Sequence, residues 1–282
     1  MSYLALLLMF LVPPTVLLCA CLVLRAGPGT DLRRTLRIAL PVLAVLVLVS
    51  TFYTAPWDKW MIDHGVFVYP PVKVAAWTGG VPVEDLLLFA VQCVFAGSWS
   101  LLVLGRLPPS RPVPAGRHGS RGRLVRMVVT AAVIAAVVVG LAARSQHMLY
   151  LSSISAWFGP LLAVQYAFGA DVLLRQWRSW LAAVVPAAMW LWLVEAVAVQ
   201  QGIWWVDPAQ SVTWRPGGLP LEDLVIFAVG TVLVVQTTMF AASPVARERI
   251  RAWSEAAVSV LAHGRVAGTR QHGLLRTGKD PA

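Results

Sequence analysis

Seven long apolar runs constrain the fold of this chain more than any other feature. They cover roughly residues 3–24, 38–54, 83–104, 126–143, 147–169, 180–200 and 221–242. A helix needs about 20 residues to cross a hydrocarbon core of about 30 Å, and the runs have about this length, although the second is short. Only 13% of the 282 residues are charged, about half the share in soluble domains. The sequence therefore predicts an all-α polytopic membrane protein with seven transmembrane helices.

The basic residues predict how these helices are oriented. All but four of the 23 Lys and Arg residues lie in alternate links between the runs and in the tail; the exceptions are Lys59, Lys73, Arg144 and Arg215. Because cytoplasmic loops collect Lys and Arg, we expect a multi-pass protein of the cell membrane with its N-terminus outside. The formal charge of +10 then reflects orientation and contact with membrane lipids. It predicts no nucleic-acid partner.

One acidic motif occurs twice, as PVEDLLLFAV from residue 82 and PLEDLVIFAV from residue 220. Each copy places a Glu and an Asp at the head of an apolar run, namely Glu84 with Asp85 and Glu222 with Asp223. A proline followed by acids is also ordinary helix-start chemistry, because the first turn favours negative charge by about 0.3–1 kcal/mol. Helix capping does not require the matching Leu, Phe, Ala and Val of both copies. The duplication therefore favours a functional role for the acids.

The repetition extends beyond the motif. Aligning WDKWMIDHGVF with VEAVAVQQGIW matches Asp58 with Glu195 and Phe67 with Trp204, and paired glycines precede both acidic motifs. We predict a first three-helix repeat over 1–105, a basic loop and spacer helix over 106–146, a second repeat over 147–242, and a basic amphipathic cytoplasmic tail over 243–282. A single spacer helix makes the two repeats parallel, so both acidic pairs are expected on the outer side.

Paired carboxyl groups beside aromatic rings suggest proton chemistry on an apolar substrate. A carboxylic acid in a low-dielectric pocket retains its proton, and a second acid nearby strengthens the effect. Such an acid can protonate an alkene, and aromatic faces stabilise the resulting carbocation. The candidate substrate-binding rings are Phe89, Phe227, Phe67, Trp77, Trp204 and Trp214. An interfacial aromatic belt explains any single loop ring equally well.

These residues resemble the lycopene cyclase domain family in its fused form, and related membrane terpene cyclases. The resemblance covers about residues 1–242 and rests on the tandem P-x-E-D motifs, on the upstream acids and on the two three-span units. It implies an isomerase-type intramolecular lyase that cyclises a lipid-dissolved isoprenoid without redox change, cofactor or metal. An acid protonates a terminal alkene, an internal alkene attacks the cation, and a base removes a proton. By motif position, the implied acid–base residues are Glu84, Asp85, Glu222 and Asp223, with Asp58 and Glu195 as second acids or orienting groups.

Two departures from the family leave the substrate open. The family usually has P-x-E-E followed by paired Phe, whereas both copies here have Asp second and Leu88 or Ile226 in place of one Phe. The substrate is accordingly a lycopene-type carotenoid or a smaller prenylated terpenoid. The sequence assigns neither the ring type, nor the repeat that donates the proton, nor the oligomeric state.

Two non-enzymatic functions also fit parts of the pattern. Parallel repeats with intramembrane acids are found in proton-coupled transporters, and a structural membrane scaffold is a third interpretation. Against a transporter, no apolar run carries a clear Gly or Pro break beside a buried charge.

Overall fold

The computed structural model describes residues 1–106, 134, 146–252 and 254–255. Six helices in this part of the chain are long and apolar enough to cross a membrane. They are α1 (Tyr3–Arg25), α2 (Asp31–Asp63), α3 (Val83–Leu104), α4 (Leu149–Arg175), α5 (Trp177–Gln200) and α6 (Leu221–Ala242). The described chain is therefore mostly helical, as predicted. Apart from residue 134, the predicted spacer over 126–143 lies outside the described residues, as does most of the basic loop.

The chain divides into two compact units, Met1–Ala242 and Ser243–Ala282. The first unit contains all six helices. In the second, the described residues form a helix over 244–252. Ser243 caps its first turn, because the Ser243 Oγ accepts a hydrogen bond from the Ala246 amide at 3.4 Å.

Helix α2 is much longer than the predicted run over 38–54. Its 33 residues begin after Thr30, whose hydroxyl oxygen accepts a hydrogen bond from the Arg33 amide. Hydropathy underestimates its length because the charged and polar residues near both ends lower the mean hydropathy while the helical backbone continues. Arg33 and Trp57, which lie outside the apolar run over 38–54, are therefore both within α2.

Proline does not break α2 beside its buried acid. Pro56 lies two residues before Asp58, which is buried, and α2 remains helical through this point. Transporters commonly place unwound helix segments at such positions. Helix α2 has no such unwound segment.

Helix α1 contains a π-helical segment over Leu7–Leu11, directly before the proline pair of Val12–Arg25. A proline lacks an amide hydrogen and clashes with the carbonyl group four residues earlier, and a wider π turn accommodates both effects. The first turn of α1 is capped by Ser2, and Tyr3 is buried in the bundle.

The two helices that carry the acidic motifs form the centre of the bundle. Helix α3 packs against α1, α2, α5 and α6, and α6 also packs against α2, α4 and α5. The starts of α1, α3, α4 and α6 and the ends of α2 and α5 converge at one end of this bundle, around a shared cavity. Residues far apart in the sequence thereby meet.

The loops after α2 and α5 are joined over this end. Strand β1 (Phe67–Val68) begins the first loop, and a hairpin of β2 (Trp77–Thr78) and β3 (Val81–Pro82) follows. Strand β4 (Trp205–Val206) of the second loop pairs antiparallel with β1.

A pair of glycines precedes each acidic motif. The hairpin turns at Gly79 and Gly80, whose φ values of 60° and 87° suit a type I′ turn. Gly217 and Gly218 have φ values of 64° and 87°. Both glycine pairs thus have closely similar positive φ values before their acidic motifs.

Candidate active site

The Glu of each acidic motif holds the loop that precedes its helix. The Ala75 amide donates a hydrogen bond of 2.7 Å to Glu84 Oε1, and the Val212 amide donates one of 2.7 Å to Glu222 Oε1. Both Glu side chains are buried, and neither lines the cavity described below. This geometry is typical of a structural anchor for a loop.

The Asp of each motif is instead bound by a tyrosine. The Tyr3 hydroxyl donates to Asp85 Oδ1 at 2.5 Å, and the Tyr150 hydroxyl donates to Asp223 Oδ1 at 2.8 Å. Sequence reasoning did not identify these tyrosines. The available signal was a Tyr-Leu pair at the start of the first helix of each predicted repeat, in SYLALL and LYLSSI.

The upstream acids complete two carboxyl pairs. Asp58 interacts with Asp85, and we call these two residues the first carboxyl pair. Glu195 interacts with Asp223, and these form the second carboxyl pair. The second pair has a donor of its own, because the Trp204 indole N–H donates to Glu195 Oε1 at 2.9 Å.

Both carboxyl pairs line a single cavity of about 100 Å³, several times the space that one water molecule needs. Nine aromatic residues also line it: Tyr3, Trp57, Phe67, Tyr69, Phe89, Tyr150, Phe158, Trp204 and Phe227. Acids and rings from both predicted repeats therefore contribute to one site.

The predicted site residues divide into two groups. The cavity brings together Asp58, Asp85, Glu195, Asp223, Phe67, Phe89, Trp204 and Phe227. Glu84, Glu222, Trp77 and Trp214 do not line it. The two tryptophans lie at the loop surface, with 47% and 64% of their area exposed, and the Trp77 ring packs edge-on against Tyr69 at 6.0 Å.

The cavity extends away from the acids between α3 and α6. Its wall there includes Gln92, two helical turns or about 10 Å beyond Asp85, and Gly230 at the matching position of α6. A Cβ atom at Gly230 would lie 3.9 Å from Gln92 Nε2. The long side chain of Gln92 on α3 thus lies opposite Gly230 on α6, which has no side chain.

Four carboxyl oxygens within the cavity lining have no hydrogen-bond partner in the described part of the chain. They are Asp58 Oδ2, Asp85 Oδ2, Glu195 Oε2 and Asp223 Oδ2. Buried polar atoms usually have a partner, and exceptions commonly mark functional sites.

Tyr69 adds a neutral donor from the loop between α2 and α3. Burial, followed by the charges of Asp85 and Asp58, raises the pKa of Tyr69 well above the usual 10.0. Its hydroxyl group therefore keeps its proton at physiological pH and can donate a hydrogen bond toward the first carboxyl pair.

Known proteins with similar sequences identify the family. The chain is 31% identical to a lycopene beta-cyclase of Halobacterium salinarum over 207 residues, which cover 73% of this chain and 84% of that protein. The chain belongs to the lycopene cyclase family. The resemblance inferred from the tandem P-x-E-D motifs is thereby confirmed.

The chain is also similar to bifunctional proteins. The chain is 27% identical over 197 residues to a bifunctional lycopene cyclase/phytoene synthase of Aspergillus niger. It is 27% identical over 209 residues to one of Phaffia rhodozyma. Each match covers 68% of this chain, which spans about a third of the length of these bifunctional relatives. No family model matches the chain, and no solved structure matches it.

Proposed function

We propose that this chain is a membrane-embedded carotenoid cyclase that converts a linear isoprenoid into a cyclic isomer. The observation that carries the proposal is the single cavity in which two carboxyl pairs meet among aromatic rings. Membership of the lycopene cyclase family favours lycopene or a related carotene as the substrate. A smaller prenylated terpenoid stays the alternative, because both motifs depart from the usual family pattern.

The reaction begins with proton transfer from one carboxyl pair to a terminal alkene. The O–H bond breaks, a C–H bond forms, and a tertiary carbocation results. An internal alkene supplies the electrons for the new ring bond, which moves the positive charge to a ring carbon. A carboxylate of the other pair then removes a proton, and the electrons of that C–H bond form the ring alkene. Substrate and product therefore have the same mass and oxidation state.

The aromatic rings stabilise the cation between these proton transfers. Phe89 and Phe227 each lie one turn beyond the Asp of their motif and line the cavity. A cation over an aromatic face gains about 2 kcal/mol or more when it is desolvated. Because rings from both motifs line the same cavity, the charge remains near an aromatic face as it moves along the substrate.

The proposed acid–base groups are Asp85 and Asp223, supported by Asp58 and Glu195. Each of these four residues has an unpartnered carboxyl oxygen and lines the cavity. Glu84 and Glu222, which motif position alone includes in the acid–base set, are assigned to holding the loops. In this scheme the Asp of each motif transfers the proton, and the Glu holds the loop that precedes its helix.

The proposed arrangement in the membrane follows the predicted boundaries. Two parallel repeats over 1–105 and 147–242 flank the spacer over 106–146, with the N-terminus outside and the tail over 243–282 inside. The matched Tyr–Asp and amide–Glu contacts of the two halves support this arrangement. The substrate is dissolved in the lipid, and the reaction uses no cofactor.

Expression in a lycopene-producing host tests the proposal. Extracted lipids are expected to contain a cyclic isomer of unchanged mass, which is absent with the empty vector and strongly reduced with the Asp85→Asn variant. In purified enzyme, a chelator and an argon atmosphere are expected to leave turnover unchanged. Cyclisation of a prenylated aromatic but not of lycopene would favour the smaller substrate. Altered proton-coupled uptake without any new isomer would favour a transporter.

A further inference from the structure

Tyr3 and Tyr150 occupy matching places in the site, although neither belongs to the acidic motifs. Each lies in the first turn of its helix and is buried. Each hydroxyl donates to the Oδ1 atom of the motif Asp, Tyr3 to Asp85 and Tyr150 to Asp223. The same contact has thus been built twice from separate parts of the chain.

These contacts leave one oxygen of each Asp free. Oδ1 of each Asp accepts the hydrogen bond of its tyrosine, whereas Asp85 Oδ2 and Asp223 Oδ2 accept none from a tyrosine, tryptophan or backbone donor of the described chain. Each Asp also interacts with the second acid of its carboxyl pair, Asp58 or Glu195. An oxygen that already accepts a hydrogen bond is the poorer place for the acidic proton of a carboxyl group. A neutral Asp is therefore expected to carry its proton on Oδ2, the oxygen without a tyrosine donor.

The tryptophan beside the second carboxyl pair likewise donates to only one oxygen of its acid. Trp204 donates to Glu195 Oε1 and leaves Glu195 Oε2 unpartnered. An indole N–H can donate but cannot accept, so the direction of this contact is fixed by chemistry. A donor on one oxygen and an unpartnered second oxygen is therefore common to Asp85, Asp223 and Glu195. Glu84 and Glu222 have the same pattern but do not line the cavity.

Ring packing fixes both phenols. The Tyr3 ring lies 4.6 Å from that of Trp204, and the Tyr150 ring meets Phe67 edge-on at 5.1 Å. A Tyr→Phe change retains these ring contacts and removes only the hydroxyl group. The contribution of the hydrogen bond can therefore be measured separately from that of the ring.

We propose that Tyr3 and Tyr150 are positioning residues that fix which oxygen of Asp85 and Asp223 exchanges a proton with the substrate. This inference rests on the proposed cyclase function. Because the tyrosines act on both motif aspartates, one controls proton delivery and the other controls proton removal. A purely structural role, in which the hydrogen bonds only join α1 to α3 and α4 to α6, predicts loss of stability without a specific loss of turnover.

The test compares Tyr3→Phe and Tyr150→Phe with Tyr53→Phe in the full chain. The Tyr53 hydroxyl donates to the Trp157 carbonyl at 2.7 Å and does not line the cavity, so this control loses a similar hydrogen bond away from the acids. We expect kcat for lycopene to fall at least about 10-fold in both site variants with KM within about twofold. This is part of the roughly 10²–10⁴-fold that a placed proton-transfer group contributes. The Tyr53→Phe variant is expected to match the wild type.

Infrared difference spectra provide a readout that does not depend on turnover. Loss of the phenol should shift the C=O stretching band of a protonated site carboxyl group to higher frequency in Tyr3→Phe or Tyr150→Phe, and leave it unchanged in Tyr53→Phe. Normal kcat or unshifted carboxyl bands in both site variants would overturn the positioning role while leaving the cyclase function intact. A wild-type protein that makes no cyclic isomer would overturn the function itself, and this inference with it.

Discussion

Trp204 donates its indole N–H to Glu195 Oε1 at 2.9 Å, and the matching residue of the other half, Phe67, has no hydrogen to donate. The two carboxyl pairs are thus alike in position but unequal in hydrogen bonding. Proton donor and proton acceptor must differ in a cyclase, because one gives up a proton and the other receives it. This indole contact is a built-in difference between the halves.

We therefore expect Trp204→Phe to lower kcat at least about 10-fold, because Glu195 loses the donor that orients its carboxyl group. The assay is isomerisation of lycopene by purified enzyme. Trp205→Phe is the matched control, since Trp205 is adjacent, 44% exposed and outside the cavity lining. Equal turnover in the two variants would remove any catalytic role from the indole.

The two acids of one motif should respond differently to amide substitution. Asp85→Asn removes a group that can carry the proton, so turnover should fall by roughly 100-fold or more. Glu84→Gln keeps a carbonyl oxygen that can still accept the Ala75 amide, so most of the activity should remain. Membrane yield and kcat are measured together. A severe loss in Glu84→Gln at normal yield would instead place Glu84 in the acid–base set.

The sequence predicted the acidic motifs but not the different positions of Asp85 and Glu84 relative to the cavity. Hydropathy and duplication located five of the six described helices closely and selected all four acids of the cavity. They could not separate Asp85 from Glu84, because adjacent residues on a helix point in directions about 100° apart and the bundle decides which direction is inward. Tyr3 and Tyr150 were missed because a lone tyrosine at a helix start resembles the interfacial aromatic belt.

Gly230 tests whether the cavity must extend between α3 and α6. A methyl group fits there, since a Cβ atom would lie 3.9 Å from Gln92 Nε2 at ordinary contact distance. Gly230→Ala should therefore keep near-normal turnover, whereas Gly230→Leu should fill the space over Gln92 and reduce turnover of lycopene at least about 10-fold. Thermal unfolding in detergent checks that both variants fold. Full activity in Gly230→Leu would show that the substrate does not reach this depth.

The last prediction concerns the sidedness of the two loops that cover the site. Strand β1 pairs with β4, so both loops lie at one end of the bundle, and the parallel-repeat arrangement puts that end outside the cell. Val72 and Trp214 are 88% and 64% exposed in these loops and are suitable positions for cysteine. In a background without Cys19, Cys21 and Cys93, Val72→Cys and Trp214→Cys should both react with a membrane-impermeant maleimide in intact cells.

The control for this labelling is Gly116→Cys, in the predicted cytoplasmic loop, which should react only after permeabilisation. Labelling of Gly116→Cys alone in intact cells would reverse the proposed orientation, and opposite labelling of the two outer positions would contradict parallel repeats.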